Sequence, residues 1–283
     1  MKKLFLFVAA VAMSIAASAA TDIWTGSKHV SWSDGGIQIA ATQFANAKAG
    51  DKIVVTFAEA TDGIEFKVMN QYFDHLAGSR EAAWISGAGT FEQFLTKSAV
   101  DSLKAYGLEI IGANFTCSKI ELKDGKELKD GFTVWTGFFW ADEWKTLELY
   151  WNGYAGVDWN KVTAIRFYSE AANGNYTLNF LEGWDEGQKF ADQTNMVDGA
   201  GYKELTITED LRSRLANAGR WMIQYNKEAL EAFNATDVVL VGDFTTAIDN
   251  TVMESKATKT FENGQLVIIK NGVKYNALGA EMK

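Results

Sequence analysis

The residues in this chain best suited to chemistry are aromatic. It carries ten Trp, nine Tyr and eighteen Phe in 283 residues, and several of the indoles sit in short polar segments. Trp32 lies between Ser31 and Ser33, just before Asp34-Gly35-Gly36. Trp140 and Trp144 bracket Asp142 and Glu143, and Trp184 sits in Glu182-Gly183-Trp184-Asp185. Tyr72 follows Asn70-Gln71, and Trp84 precedes Ile85-Ser86-Gly87. A rigid ring at a loop tip can cover the C–H face of a pyranose at small entropic cost. If stacking removes about 60–100 Å² of apolar area, the gain is on the order of 1.5–2.5 kcal/mol per ring before association losses. Gln71, Asp74, Asp142 and Asp185 stand beside these rings and could meet sugar hydroxyls, or could be plain solvated turn residues. The candidate binding set is Trp32, Tyr72, Trp84, Trp140, Trp144, Trp184, Gln71 and Asp185, with partial core packing the alternative for each ring. Trp24 and Trp135 occupy equivalent strand positions and read as core, whereas Trp151 and Trp159 flank Asn152-Gly153-Tyr154 without a clear placement.

Other chemistries find less material. There is no G-x-S-x-G elbow, no H-E-x-x-H, no phosphate loop and no paired Cys motif. His29 and His75 are the only histidines, and neither has a cysteine or a patterned acidic cluster beside it. Cys117, the single cysteine, lies in an apolar run between Phe115 and Ile120 and reads as a buried, inert thiol. No catalytic residue, cofactor or metal ligand is assigned, and a structural calcium in an Asp-bearing loop is left open. A glycosidase needs only two suitably separated carboxylates. The 36 acidic residues leave such a pair open, although two small sandwiches offer little room for a deep cleft.

The elements that must position these rings are written twice. Ile23-Trp24-Thr25-Gly26 returns as Val134-Trp135-Thr136-Gly137, and Gly87-Ala88-Gly89 returns as Gly199-Ala200-Gly201. Thr96 to Gly107 and Thr208 to Gly219 are segments of equal length. A period of about 110 residues is too long for a solenoid and suits a whole small domain. Alternation with period two dominates both copies: Ile37, Ile39 and Ala41, then Ile53, Val55 and Phe57, and in the second copy Leu147 and Leu149, Ile165 and Phe167, Leu178 and Phe180. Short strands separated by Gly, Asn and Asp predict an all-β chain of two tandem antiparallel β-sandwiches, jelly-roll-like. Each sandwich holds one short helix, with Thr96 or Thr208 as N-cap and Gly107 or Gly219 as the left-handed stop. An eight-residue excess around Asn226 to Phe233 is expected as a surface elaboration of the second copy.

Residues 1–20 read as a secretory signal: Lys2 and Lys3, an apolar run from Leu4 to Val11, then Ala17-Ser18-Ala19. That run is too short to span a bilayer, so no transmembrane segment is expected in the mature protein. The formal charge of −9 argues against nucleic acid as a partner. The organisation expected is signal peptide 1–20, module one 21–122, linker 123–131, module two 132–242, and a tail 243–283. The charged, Gly-bearing linker is expected to join the modules closely but not rigidly. In the tail, Asn263-Gly264 and Asn271-Gly272 flank an apolar strand and predict a hairpin.

These landmarks resemble a known pattern. The Trp-Thr-Gly opening, Ala49-Gly50-Asp51-Lys52-Ile53, Leu95-Thr96, Leu103-Lys104-Ala105-Tyr106-Gly107-Leu108 and Gly112-Ala113-Asn114-Phe115-Thr116 are similar to β-sandwich domains found in tandem in secreted Bacteroidetes proteins. Those Prevotella-type domains are often attached to glycanases and behave like carbohydrate-binding modules. The resemblance covers 23–122 well and 134–241 less well, and the tail resembles C-terminal sorting segments of the same phylum. It implies a secreted or cell-surface protein that holds plant cell-wall polysaccharide, β-glucan or hemicellulose, without cleaving it. Glycanases are then further partners. The alternatives are a surface adhesin or structural protein that binds protein, and a glycoside hydrolase.

Overall fold

The computed structural model describes residues 20–33, 35–60, 64–79, 83–85, 88–142, 144–171, 174–226, 232–244, 258–262, 265–270 and 273–276. The signal-like residues 1–19 and the centre of the expected elaboration, 227–231, lie outside them. Residues 1–242 make one compact unit and 243–283 a second.

The first half runs β1 (Thr21–Val30), β2 (Ile37–Ile39), β3 (Lys52–Ala60), β4 (Ile64–Met69), β5 (Ala83–Ile85), β6 (Gly89–Phe94), α1 (Lys97–Tyr106), β7 (Leu108–Gly112) and β8 (Phe115–Lys123). Two antiparallel sheets result, in the orders β1-β8-β3-β6 and β2-β7-β4-β5. The alternating apolar residues meet between them: Ile53, Val55 and Phe57 from one sheet, Phe66, Val68 and Ile110 from the other. Phe57 packs edge-on against Phe66 and Phe115, at centroid distances of 5.4 and 5.2 Å. Ile37 and Ile39 are buried as the alternation predicts, but Ala41 does not extend β2 and instead opens a 3-10 turn over Ala41–Phe44.

The second half repeats the plan with β9 (Phe132–Ala141), β10 (Thr146–Tyr150), β11 (Val162–Ser169), β12 (Thr177–Leu181), β13 (Lys189–Asp192), β14 (Val197–Gly199), β15 (Tyr202–Thr206), α2 (Glu209–Asn217), β16 (Arg220–Asn226) and β17 (Phe233–Gly242). Its sheets are ordered β9-β17-β11-β15-β14 and β10-β16-β12-β13. Apart from the added edge strand β14, both orders are those of the first half. The chain is an all-β, antiparallel sandwich protein with one short helix in each half.

The repeated Trp-Thr-Gly has a packing cause. Trp135 is 4% exposed and Trp24 is partly buried against the core. In both copies the ring folds back over the glycine two residues on: a Cβ at Gly26 would stand 3.1 Å from the Trp24 ring, and one at Gly137 would stand 2.9 Å from Trp135. Thr96 and Thr208 cap their helices as expected, accepting from Ala99 N at 3.1 Å and Leu211 N at 3.3 Å. The stops differ. Gly107 takes the left-handed region at φ 77°. Gly219 does not serve as a left-handed stop, because α2 ends a residue earlier at Ala218 in extended conformation. The Ala218 carbonyl accepts from Tyr154 Oη at 2.6 Å, which holds the chain in that exit.

The segment between the halves is held at both sides. Lys126 N donates to Gly50 O at 2.9 Å. Its ammonium donates to Thr236 O at 2.8 Å and to buried Asp237 at 3.2 Å, and stands over the rings of Phe94 and Phe138. Burial pushes the Lys126 pKa down, and Asp237 opposes that shift. A second junction lies at β10: the His75 and Tyr150 rings stack at 4.9 Å, and Asn152 Nδ2 donates to His75 O. These contacts join the two halves closely.

The second unit carries β18 (Thr258–Glu262), β19 (Gln265–Lys270) and β20 (Val273–Asn276), antiparallel in that order. Asn263-Gly264 and Asn271-Gly272 lie outside the described residues, between strands that pair as consecutive hairpins.

Candidate functional site

The loop after β1 exposes Trp32 to 48%. Ser31 and Ser33 share a hydroxyl hydrogen bond of 3.0 Å around it, and Lys67 Nζ lies 5.8 Å from its ring centroid. The loop after β4 is organised by Asn70, whose Oδ1 accepts from Tyr72 N at 2.9 Å and Asp74 N at 3.1 Å. This tight turn leaves Tyr72 71% exposed, edge-on to Tyr106 at 5.1 Å, and drives Phe73 to φ 63°. Gln71 faces inward instead: its amide nitrogen donates to Ile39 O at 2.9 Å. Trp84 lies on β5 opposite Glu65, and its side chain falls outside the described residues.

In the second half, Trp140 (51% exposed) and Phe138 (55%) project from the same side of β9. Asn234, opposite Trp140, donates to Glu170 at 2.6 Å. Trp144, in the β9–β10 loop, is 44% exposed with φ 64°. Bulky residues seldom occupy the left-handed region, at a cost of about 1–3 kcal/mol, and such residues concentrate at functional loops. Two of the three described non-glycine residues there, Phe73 and Trp144, are exposed aromatics.

Trp184 is 60% exposed on the β12–β13 loop, which is firmly braced. Asp185 N donates to Gln188 Oε1 at 3.2 Å, and Arg214 of α2 reaches Glu182 Oε1 at 3.1 Å and the Lys189 carbonyl at 3.3 Å. Asp185 is exposed beside the indole, at the head of the short turn Glu186–Gln188.

The feature that sequence reading left unplaced is a groove of about 460 Å³ between the segment after β10 and the end of α2. Trp151 (56% exposed), Tyr154 and Trp159 line one side, and Ala216 to Gly219 the other. Tyr154 stacks on buried Trp221 at 4.3 Å, and Trp159 meets both rings edge-on. Arg212 reaches from α2 to the Trp159 and Val162 carbonyls and fixes that corner. Burial pushes the Tyr154 phenol well above its ordinary pKa, so the ring is a neutral floor. Among the described residues, no group of three or more His, Cys, Asp or Glu is placed to hold a metal ion.

No protein-family model and no curated protein matches the chain. Among solved structures it is similar to Bacteroides ovatus SGBP-B of the mixed-linkage glucan utilization locus, solved in complex with a mixed-linkage heptasaccharide. The identity is 18% and the TM-score 0.33, over 37% of this chain and 30% of that one. The chain thus spans under a third of that protein's length.

Proposed function

We propose that this is a non-catalytic glycan-binding protein, secreted or displayed at the cell surface, which holds plant cell-wall β-glucan or a related hemicellulose by aromatic stacking on two tandem modules. The observation that carries the reading is that Trp32, Trp140, Trp144, Trp151 and Trp184 are all between 44% and 60% exposed, above cores already filled by other residues. Rings this large are normally used for burial, so five indoles left substantially exposed support an interaction role. Several are pre-set by their loops, which lowers the ordering cost on binding. Each stacked ring contributes weakly, so placing rings on two linked modules raises avidity through effective concentration. Among the described residues no helix is long and apolar enough to cross a membrane.

Affinity-gel electrophoresis against cellulose derivatives, xyloglucan, mixed-linkage glucan and mannan tests the reading. Wild type should be retarded by at least one β-glucan or hemicellulose, with clear loss in Trp32→Ala and Trp144→Ala. Unretarded wild type on every glycan, or release of reducing sugar, would overturn it.

A further inference from the structure

The two halves carry the same loop at the same station, dressed differently. A 3-10 turn leaves β2 as Ala41–Phe44 and leaves β10 as Trp151–Gly153. The distance from the first residue of the turn to the next strand, Lys52 or Val162, is the same in both. In this register Phe44 matches Tyr154, and both are buried. Ala41, however, matches Trp151, and Ala49 matches Trp159. Two methyl groups of the first half are thus two indoles in the second. The adjoining helix ends differ in the same sense. Beside Gly107 the Gln71 amide packs so closely that a Cβ would stand 2.9 Å from it. At Ala218-Gly219 the extended exit leaves the groove beside Trp151.

The geometry points to this groove as a site for one pyranose unit of a neutral glycan, an assignment that rests on the glycan-binding reading above and confines this site to the second half. Trp151, more than half exposed, and Trp159 supply the aromatic surface of its near side. The volume of about 460 Å³ lies within the usual range of small-ligand sites. Among the described residues that line it none is charged, and the Arg212 guanidinium at its corner is engaged by the Trp159 and Val162 carbonyls. Its far wall is the last turn of α2, the negative end of the helix dipole, where the Ala218 and Gly219 carbonyls already accept from Tyr154 Oη and Trp151 N. That negative end opposes a carboxylate or sulfate, which selects a neutral sugar over a uronic acid.

Isothermal titration of the full chain with cellohexaose, a xyloglucan oligosaccharide, mannohexaose and oligogalacturonate tests it, alongside Trp151→Ala, Trp151→Ala/Trp159→Ala and Trp32→Ala. Binding of at least one neutral probe is expected, with a loss on the order of tenfold in Trp151→Ala. The melting temperature of that variant should be unchanged because the ring is exposed. The double variant should bind no better than Trp151→Ala. Wild-type affinity in Trp151→Ala, together with a loss in Trp32→Ala, would overturn the groove and leave the general reading standing. Tighter binding of oligogalacturonate than of any neutral probe would overturn the choice of sugar. Failure of wild type to bind any probe would overturn both readings.

Discussion

Set side by side, the halves share a strand order and differ in what the loops carry. In the first, the turn after β2 is small and the end of α1 is filled by Gln71. In the second, the matching turn bears Trp151, and the end of α2 lies open beside it. Inward-facing alternation sustains the common scaffold, whereas single positions at turns change the surface without disturbing a sheet. A duplicated fold therefore need not mean a duplicated site.

The comparison can be broken most forcefully at the paired tryptophans. Trp135→Ala should cost about 3–5 kcal/mol in denaturant unfolding, as expected for a large buried ring. Trp24→Ala should cost clearly less, because its ring is only partly covered. Equal losses would mean that the two copies of Trp-Thr-Gly bear the same load. The helix caps offer a smaller contrast. Thr208→Ala should lower stability by about 1 kcal/mol. Thr96→Ala should cost more, since Thr96 is fully buried and also donates to Ala77 O at 3.4 Å. Both differences can be read from urea midpoints.

A contrast of another kind belongs to Cys117, whose thiol pKa burial raises from 9.0 to about 11. In the native protein its labelling by a thiol reagent at pH 8 should be far slower than in urea. Stability should also decline between pH 9 and 11, because the unfolded chain releases this proton first and the folded chain holds it. Since the thiol belongs to the first half alone, partial labelling under mild denaturant reports whether that half opens before the second. Fast native labelling at pH 8 would contradict the burial of this strand.

Much of the scaffold was legible because it depends on periodicity. Ile53, Val55 and Phe57, or Leu147 and Leu149, point inward for the reason their spacing implies. Thr96 and Thr208 acted locally and were equally readable. Gly219 was misread because the exit of α2 is decided by a tertiary bond from Tyr154 to Ala218. The charged stretch after β8 was legible as a short connection, but composition does not reveal that Lys126 finds Asp237 in a crowded junction. Trp151 and Trp159 were unplaced because their meaning depends on the end of α2, more than fifty positions away in the chain. Aligning the two copies by turn and strand, and so setting Ala41 against Trp151 and Ala49 against Trp159, was the signal that would have exposed them.

The clasp formed by Lys126 with Thr236 and Asp237, and by Asn152 with His75, has a mechanical corollary. A shear load applied to a fibre lodged beside Trp151 would pass through Asn152 into the first sandwich, so both would resist it together. The peptide around Lys126 would serve as a brace under tension, not a joint.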